Sequence, residues 1–190
     1  MRQEVTSTLG AAGIRTFTKA LLKDLQALEK MLKDGQIESG VRRFGCEQEM
    51  FLVGEACRPA PIAIEVLELL DDDCFTTELA RFNLEINVEP ILLEGACFSA
   101  LQTRIEELLG MVREAARGLG AEVVLTGILP TLSKSDLSLD NITPRPRYHE
   151  LNDALTQMRG GAYRLQIEGR DELHIEHDSV MLEACNTSCQ

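Results

Sequence analysis

The sequence predicts an α+β fold: a mostly antiparallel sheet with helices packed on one face. Three observations lead there. Apolar residues recur at helical spacing over 14–33 and 98–119. Segments suited to strands lie around 41–53 and 79–89, each with alternating side chains. Strands and helices do not follow the strict βαβ order of a parallel doubly wound sheet.

The elements follow in order. Residues 1–13 read as loose. In 14–33, Ile14, Phe17, Leu21, Leu25, Leu28 and Leu32 form one stripe with Lys and Asp opposite, and Gly35 suits the C-terminal cap. A strand over 41–53 and a turn-rich loop over 54–61 come next. Residues 62–70 read as a helix closed by Asp71, Asp72 and Asp73, a run expected to be a solvated helix end. A second strand spans 79–89 and stops at Pro90. The helix over 98–119 takes Ser99 as a nearby cap, and Gly118 and Gly120 break it. Residues 121–128 read as a short buried strand. Residues 130–146 hold three prolines and no period, so they read as a long functional or mobile loop. A helix over 148–158 stops at Gly160 and Gly161, and 163–168 with 173–177 read as a hairpin.

Composition narrows the function. The 190 residues suffice for one core, burying roughly 70% of the unfolded surface. They read as one domain, or as the N-terminal part of a larger one. Against 31 acidic side chains stand 19 basic ones, a net charge of −12. That balance argues against nucleic-acid and anionic-membrane partners, which need Lys and Arg. No apolar stretch approaches the roughly 20 residues of a membrane span, and no signal peptide is visible. The expectation is a cytoplasmic protein acting on small molecules, with homo-oligomerisation left open. The six cysteines are scattered without a C-x-x-C pair and are expected to be reduced, mostly as small core residues.

The chemistry concentrates on two strands. In Gly45-Cys46-Glu47-Gln48-Glu49-Met50-Phe51, Glu47 and Glu49 share a face. In Asn83-Leu84-Glu85-Ile86-Asn87-Val88-Glu89, the face opposite the apolar residues carries Glu85, Asn87 and Glu89. If the strands share a sheet, four carboxylates and an amide gather on one surface. Close anions repel in a poorly solvated cleft, and a hard divalent cation resolves the conflict. Magnesium takes oxygen ligands and is commonly completed by nucleotide phosphates. The alternative is a solvated polar face, which an ordinary half-buried strand also shows. Pro144-Arg145-Pro146-Arg147-Tyr148 is the second constellation, with two arginines able to grip phosphate or carboxylate oxygens, or else a surface turn. His174 and His177 face opposite sides of a strand and cannot share a metal.

Taken in order, these motifs resemble the glutamate–cysteine ligase and carboxylate–amine ligase family. Gly45 to Phe51 is similar to its E-x-E-x-F strand, and Leu84 to Pro90 to its second acidic strand. Thr126-Gly127 to Pro130, then Pro144 to Tyr148, is similar to its G-x-x-P and basic R-Y segments. Val180 to Gln190 is similar to the lead-in to a strand of the active cleft. The resemblance implies a glutamine-synthetase-like catalytic fold, here incomplete because family enzymes are considerably longer. It implies an ATP- and magnesium-dependent ligase of glutathione-type biosynthesis that activates a carboxylate as an acyl phosphate for attack by an amine. It casts Glu47, Glu49, Glu85 and Glu89 as metal ligands and Arg147 as the catalytic cation. Arg145, Tyr148 and Gln190 become cofactor-binding residues, and the 130–146 loop a lid. The alternative is a non-catalytic nucleotide- or metabolite-binding regulatory domain that kept the fold.

Overall fold

The computed structural model describes residues 11–190. Residues 1–10, most of the segment read as loose, lie outside the described residues, while 11–13 already form the first turn of α1 (Ala11–Lys33). No residue of α1 is buried, so its apolar stripe faces away from the rest of the described chain.

The body is a four-stranded antiparallel sheet in the order β2-β3-β1-β4. Its centre pairs β1 (Arg43–Val53) with β3 (Asn83–Leu92). β2 (Phe75–Thr77) flanks β3, and β4 (Glu122–Val124) flanks β1. The sheet and the helices on it agree with the predicted α+β class. β3 does not stop at Pro90. A bulge sets Gly45 against Glu89 and Pro90, and a bulge tolerates a residue without an N–H. A Cβ on Gly45 would sit 3.4 Å from the Val88 carbonyl oxygen, so the small residue lets the strands stay close there.

α2 (Ala63–Leu70) and α3 (Cys97–Gly118) cover one face of the sheet. Met50, Leu52, Leu84 and Ile86 meet Val66, Leu108, Val112 and Ala116 there. Asp71 closes α2 in the left-handed conformation (φ 43°, ψ 44°). α3 starts two residues before Ser99, on an Ala96 cap without a side-chain hydrogen bond, so packing and not a cap sets its start.

The other face is divided. Beyond the carboxylates, Phe51, Val53 and Phe82 meet Leu129, Leu137, Ile142, Tyr148 and Met181 in a second apolar cluster. Tyr148 comes from α4 (Pro146–Arg159), which carries its proline in the first turn, where no N–H is needed, and ends at Gly160. The segment before α4 is not a free lid. It holds the 3-10 turns Lys134–Leu137 and Leu139–Asn141 and buries Leu137, Ile142 and Thr143. Arg58 pins it through Asp136 at 2.8 Å. Buried apolar side chains and an ion pair oppose the opening that a mobile loop requires.

The strand expected over 121–128 shortens to three residues. The chain end takes over its edge: Glu47 and Gln190 exchange two backbone hydrogen bonds of 2.9 Å, and the Glu49 N–H donates to Ser188 O at 2.9 Å. β5 (Tyr163–Glu168) and β6 (Glu172–His177) form the expected hairpin as a separate sheet. All six cysteines are free, but only Cys46 and Cys97 are fully buried, and Cys57 and Cys189 are exposed. No described helix is long and apolar enough to cross a membrane.

Candidate functional site

The β1–β3 register decides which carboxylates meet. Glu49 lies directly opposite Glu85, and Glu47 opposite Asn87. Side chains opposite each other in an antiparallel pair are near neighbours. A third carboxylate joins from outside both strands: Glu78, in the turn from β2 to β3. One carboxylate oxygen each from Glu49, Glu78 and Glu85 lies within 4.8 Å of the others. All three are half-buried.

The electrostatics match the geometry. Burial raises the Glu78 carboxyl from 4.5 to about 7, with the charges of Glu85 and Glu49 adding to it. Its own contact with the Leu79 N–H and the nearby Arg147 oppose that rise. Glu85 is also raised, first by burial, while the Asn87 amide donating at 2.7 Å counteracts it. Glu49 is held in place by Ser188, whose N–H donates to Glu49 Oε2 at 2.8 Å and whose hydroxyl donates at 3.2 Å. Three carboxylates aimed at one another, two of them raised chiefly by burial, form a hard-oxygen donor set suited to a divalent cation. Their fit to a divalent cation is reinforced by Asn83. This residue is 2% exposed, shares the carboxylate face, and has neither amide polar atom hydrogen-bonded.

Glu78 and Glu85 open into a cleft of about 1260 Å³ that Glu49 does not line. Glu47, Glu78, Glu85 and Asn87 line one side, and Arg145 and Arg147 also line it. Arg147 donates to Thr77 O at 3.3 Å and to the Tyr148 hydroxyl, with its guanidinium 4.4 Å from the Tyr148 ring centre. Tyr148 is buried, and its hydroxyl donates to Thr77 O at 2.6 Å. It therefore supports Arg147 from the core and does not itself line the cleft. Asp71, Asp72 and Asp73, read as a solvated helix end, also line this cleft. Asp72 is drawn below the usual carboxyl range chiefly by the Cys74 N–H, which donates at 2.8 Å.

The structure thus brings together Glu49 and Glu85, with Glu47 beside them and Arg145 and Arg147 lining the same cleft. It leaves Glu89 exposed at the far end of β3, in a smaller cleft of about 420 Å³ shared with Glu47 and Gln190. Gln190 pairs with Glu47 through its backbone. Sequence reasoning missed Glu78 and Asn83. Glu78 is out of phase with the strand after it because a turn intervenes. The readable signal was Phe75-Thr76-Thr77, a short β-prone run directly after a helix end.

Comparison with known proteins adds the lineage. The family model Glutamate-cysteine ligase family 2 (GCS2) matches residues 43–190. A Frankia alni protein named "Putative glutamate--cysteine ligase 2-3" is 29% identical over 110 residues, covering 57% of this chain and 12% of that protein. The chain therefore accounts for a small part of this relative's length. No solved structure matches. The matched segment runs from the start of β1 through Ser188, which orients Glu49, and so contains every carboxylate of the cluster: the chain belongs to glutamate–cysteine ligase family 2.

Proposed function

We propose that this chain carries the cation-binding sheet of an ATP- and magnesium-dependent carboxylate–amine ligase of the glutamate–cysteine type. The observation that carries the proposal is the convergence of Glu49, Glu78 and Glu85 within 4.8 Å, with Glu78 and Glu85 lining the cleft that also holds Arg145 and Arg147. When bound, magnesium and ATP supply phosphoryl transfer to a carboxylate, whose acyl phosphate an amine then attacks.

The chain's own residues have definable tasks. Glu49, Glu78 and Glu85 hold the cation, and Ser188 keeps Glu49 aimed. Arg147 offers positive charge to the transferring phosphate or the substrate carboxylate. Its contacts with Thr77 and Tyr148 restrict its rotamers, so little order remains to be gained on binding. Arg145 is exposed in the same cleft and suits the outer phosphates. The substrates are small: an amino-acid carboxylate and an amine, in the cytoplasm.

Calorimetry of ATP binding with and without magnesium tests this, followed by ADP release with glutamate and an amine panel. The expected result is magnesium-dependent ATP binding and ADP release that needs both a carboxylate and an amine. Absence of magnesium-dependent nucleotide binding contradicts the proposal. Binding without release supports the metabolite-binding alternative instead.

A further inference from the structure

Beneath the carboxylate cluster lies a small, largely enclosed cavity of about 80 Å³. Glu49, Glu78, Asn83, Glu183, Ser188 and Gln190 are among its lining residues, and none of the residues lining it is Lys or Arg. A cavity needs at least about 10–15 Å³ of such volume to admit a water, so this one has room for water. Asn83 is its most unusual wall. It sits two residues before Glu85 on β3, opposite Phe51, and its chain neighbours are Phe82 and Leu84. Both flanking side chains are fully buried. A leucine would suit these surroundings. The sequence instead places a carboxamide there, 2% exposed, with neither Oδ1 nor Nδ2 hydrogen-bonded to the protein. A buried amide without partners is costly, and native proteins rarely keep one without a guest or a water to satisfy it.

We infer that Asn83 is a positioning residue for the cation site: its carboxamide holds the waters that complete the coordination of the ion carried by Glu49, Glu78 and Glu85. This rests on the cation reading proposed above. Three carboxylates supply part of the shell of a small divalent ion, and magnesium keeps several waters. Cation-bound water is a strong donor and needs a fixed acceptor. Asn83 lines the same cavity as Glu49 and Glu78, and its amide oxygen is an uncommitted acceptor. Its amide N–H groups can donate to a second water there. Partners outside the coordination shell commonly change metal affinity by about 10–100-fold when removed.

The test combines Mn²⁺ titration, followed by electron paramagnetic resonance, with thermal melting of the metal-free protein. In Asn83→Leu the Mn²⁺ dissociation constant should rise about tenfold, while the metal-free melting temperature stays level or increases, because an unpaired buried amide has gone. A purely structural asparagine shows the reverse: a lower melting temperature and unchanged Mn²⁺ affinity. That result overturns the inference. If Asn83→Leu does not fold, Asn83→Asp decides. It keeps an acceptor oxygen, so it should hold Mn²⁺ at least as tightly as the parent and gain more thermal stability on binding; weakened binding overturns the inference. If the unmodified chain binds no Mn²⁺, the cation reading itself falls and takes this inference with it. If it binds and Asn83→Leu binds equally well, only the inference falls.

Discussion

Ile86 and Glu85 are neighbours on β3 and meet opposite surroundings. Ile86 is fully buried with Leu84, Met50 and Leu52 beneath α2 and α3. Glu85 points to the other face, towards Glu49 and Glu78. The first face is a close-packed hydrocarbon layer. The second collects like charges and leaves an amide unpaired. The difference shows where stability and function reside in this sheet. Apolar burial on one side offsets the strain of carboxylates crowded on the other, and the two-residue repeat of a strand keeps the faces separate.

Substitutions on the two faces should therefore act in opposite senses. Ile86→Ala is expected to have the largest effect, about 2–5 kcal/mol lost to transfer and cavity terms. Differential scanning calorimetry should show a melting temperature lower by roughly 5–15 °C. Glu85→Gln, one residue away, should leave the metal-free protein as stable or more so, since it removes a member of a repelling group. Calorimetric titration with magnesium should then show affinity reduced on the order of 100-fold, about 2.7 kcal/mol.

The contrast also has a pH signature. Glu78 titrates near 7 in the fold against 4.5 ordinarily, chiefly because it is buried. The folded state thus holds this proton more tightly than the unfolded chain. The associated stability is complete below about pH 4.5 and is lost as pH rises through about 7. Melting measured from pH 5 to 8 without metal should show a decline worth about 2 kcal/mol. Millimolar magnesium should flatten it, giving a larger gain at pH 8 than at pH 5. A smaller effect is expected behind Arg147. Tyr148→Phe removes the hydroxyl that Thr77 O accepts from, at a cost of about 1 kcal/mol in chemical denaturation.

Much of this architecture was legible in the sequence. The Glu47/Glu49 and Glu85/Asn87 alternation placed both carboxylate strands, and the helical stripe ending at Gly118 placed α3, because strand and helix periods are written locally. Register was not legible. That Glu49 faces Glu85 and Glu47 faces Asn87, while Glu89 falls at the bulge beside Gly45 with no carboxylate opposite, is a property of two strands together. Glu78 was hidden because a turn, not a strand, aims it. The 130–146 segment looked mobile because its anchors, Arg58 and the second apolar cluster, are distant in sequence. The stripe of α1 was legible as a helix, but its exposure was not, since periodicity marks an apolar face without showing what covers it.

Glu78 and Glu89 give the most direct test of the central claim, that Glu49, Glu78 and Glu85 form one cation site. Mn²⁺ bound per chain should be counted by electron paramagnetic resonance for the parent protein, Glu78→Gln and Glu89→Gln. The account predicts one tightly bound ion in the parent and in Glu89→Gln, and its loss in Glu78→Gln. Retention of the ion by Glu78→Gln, or its loss in Glu89→Gln, would contradict it.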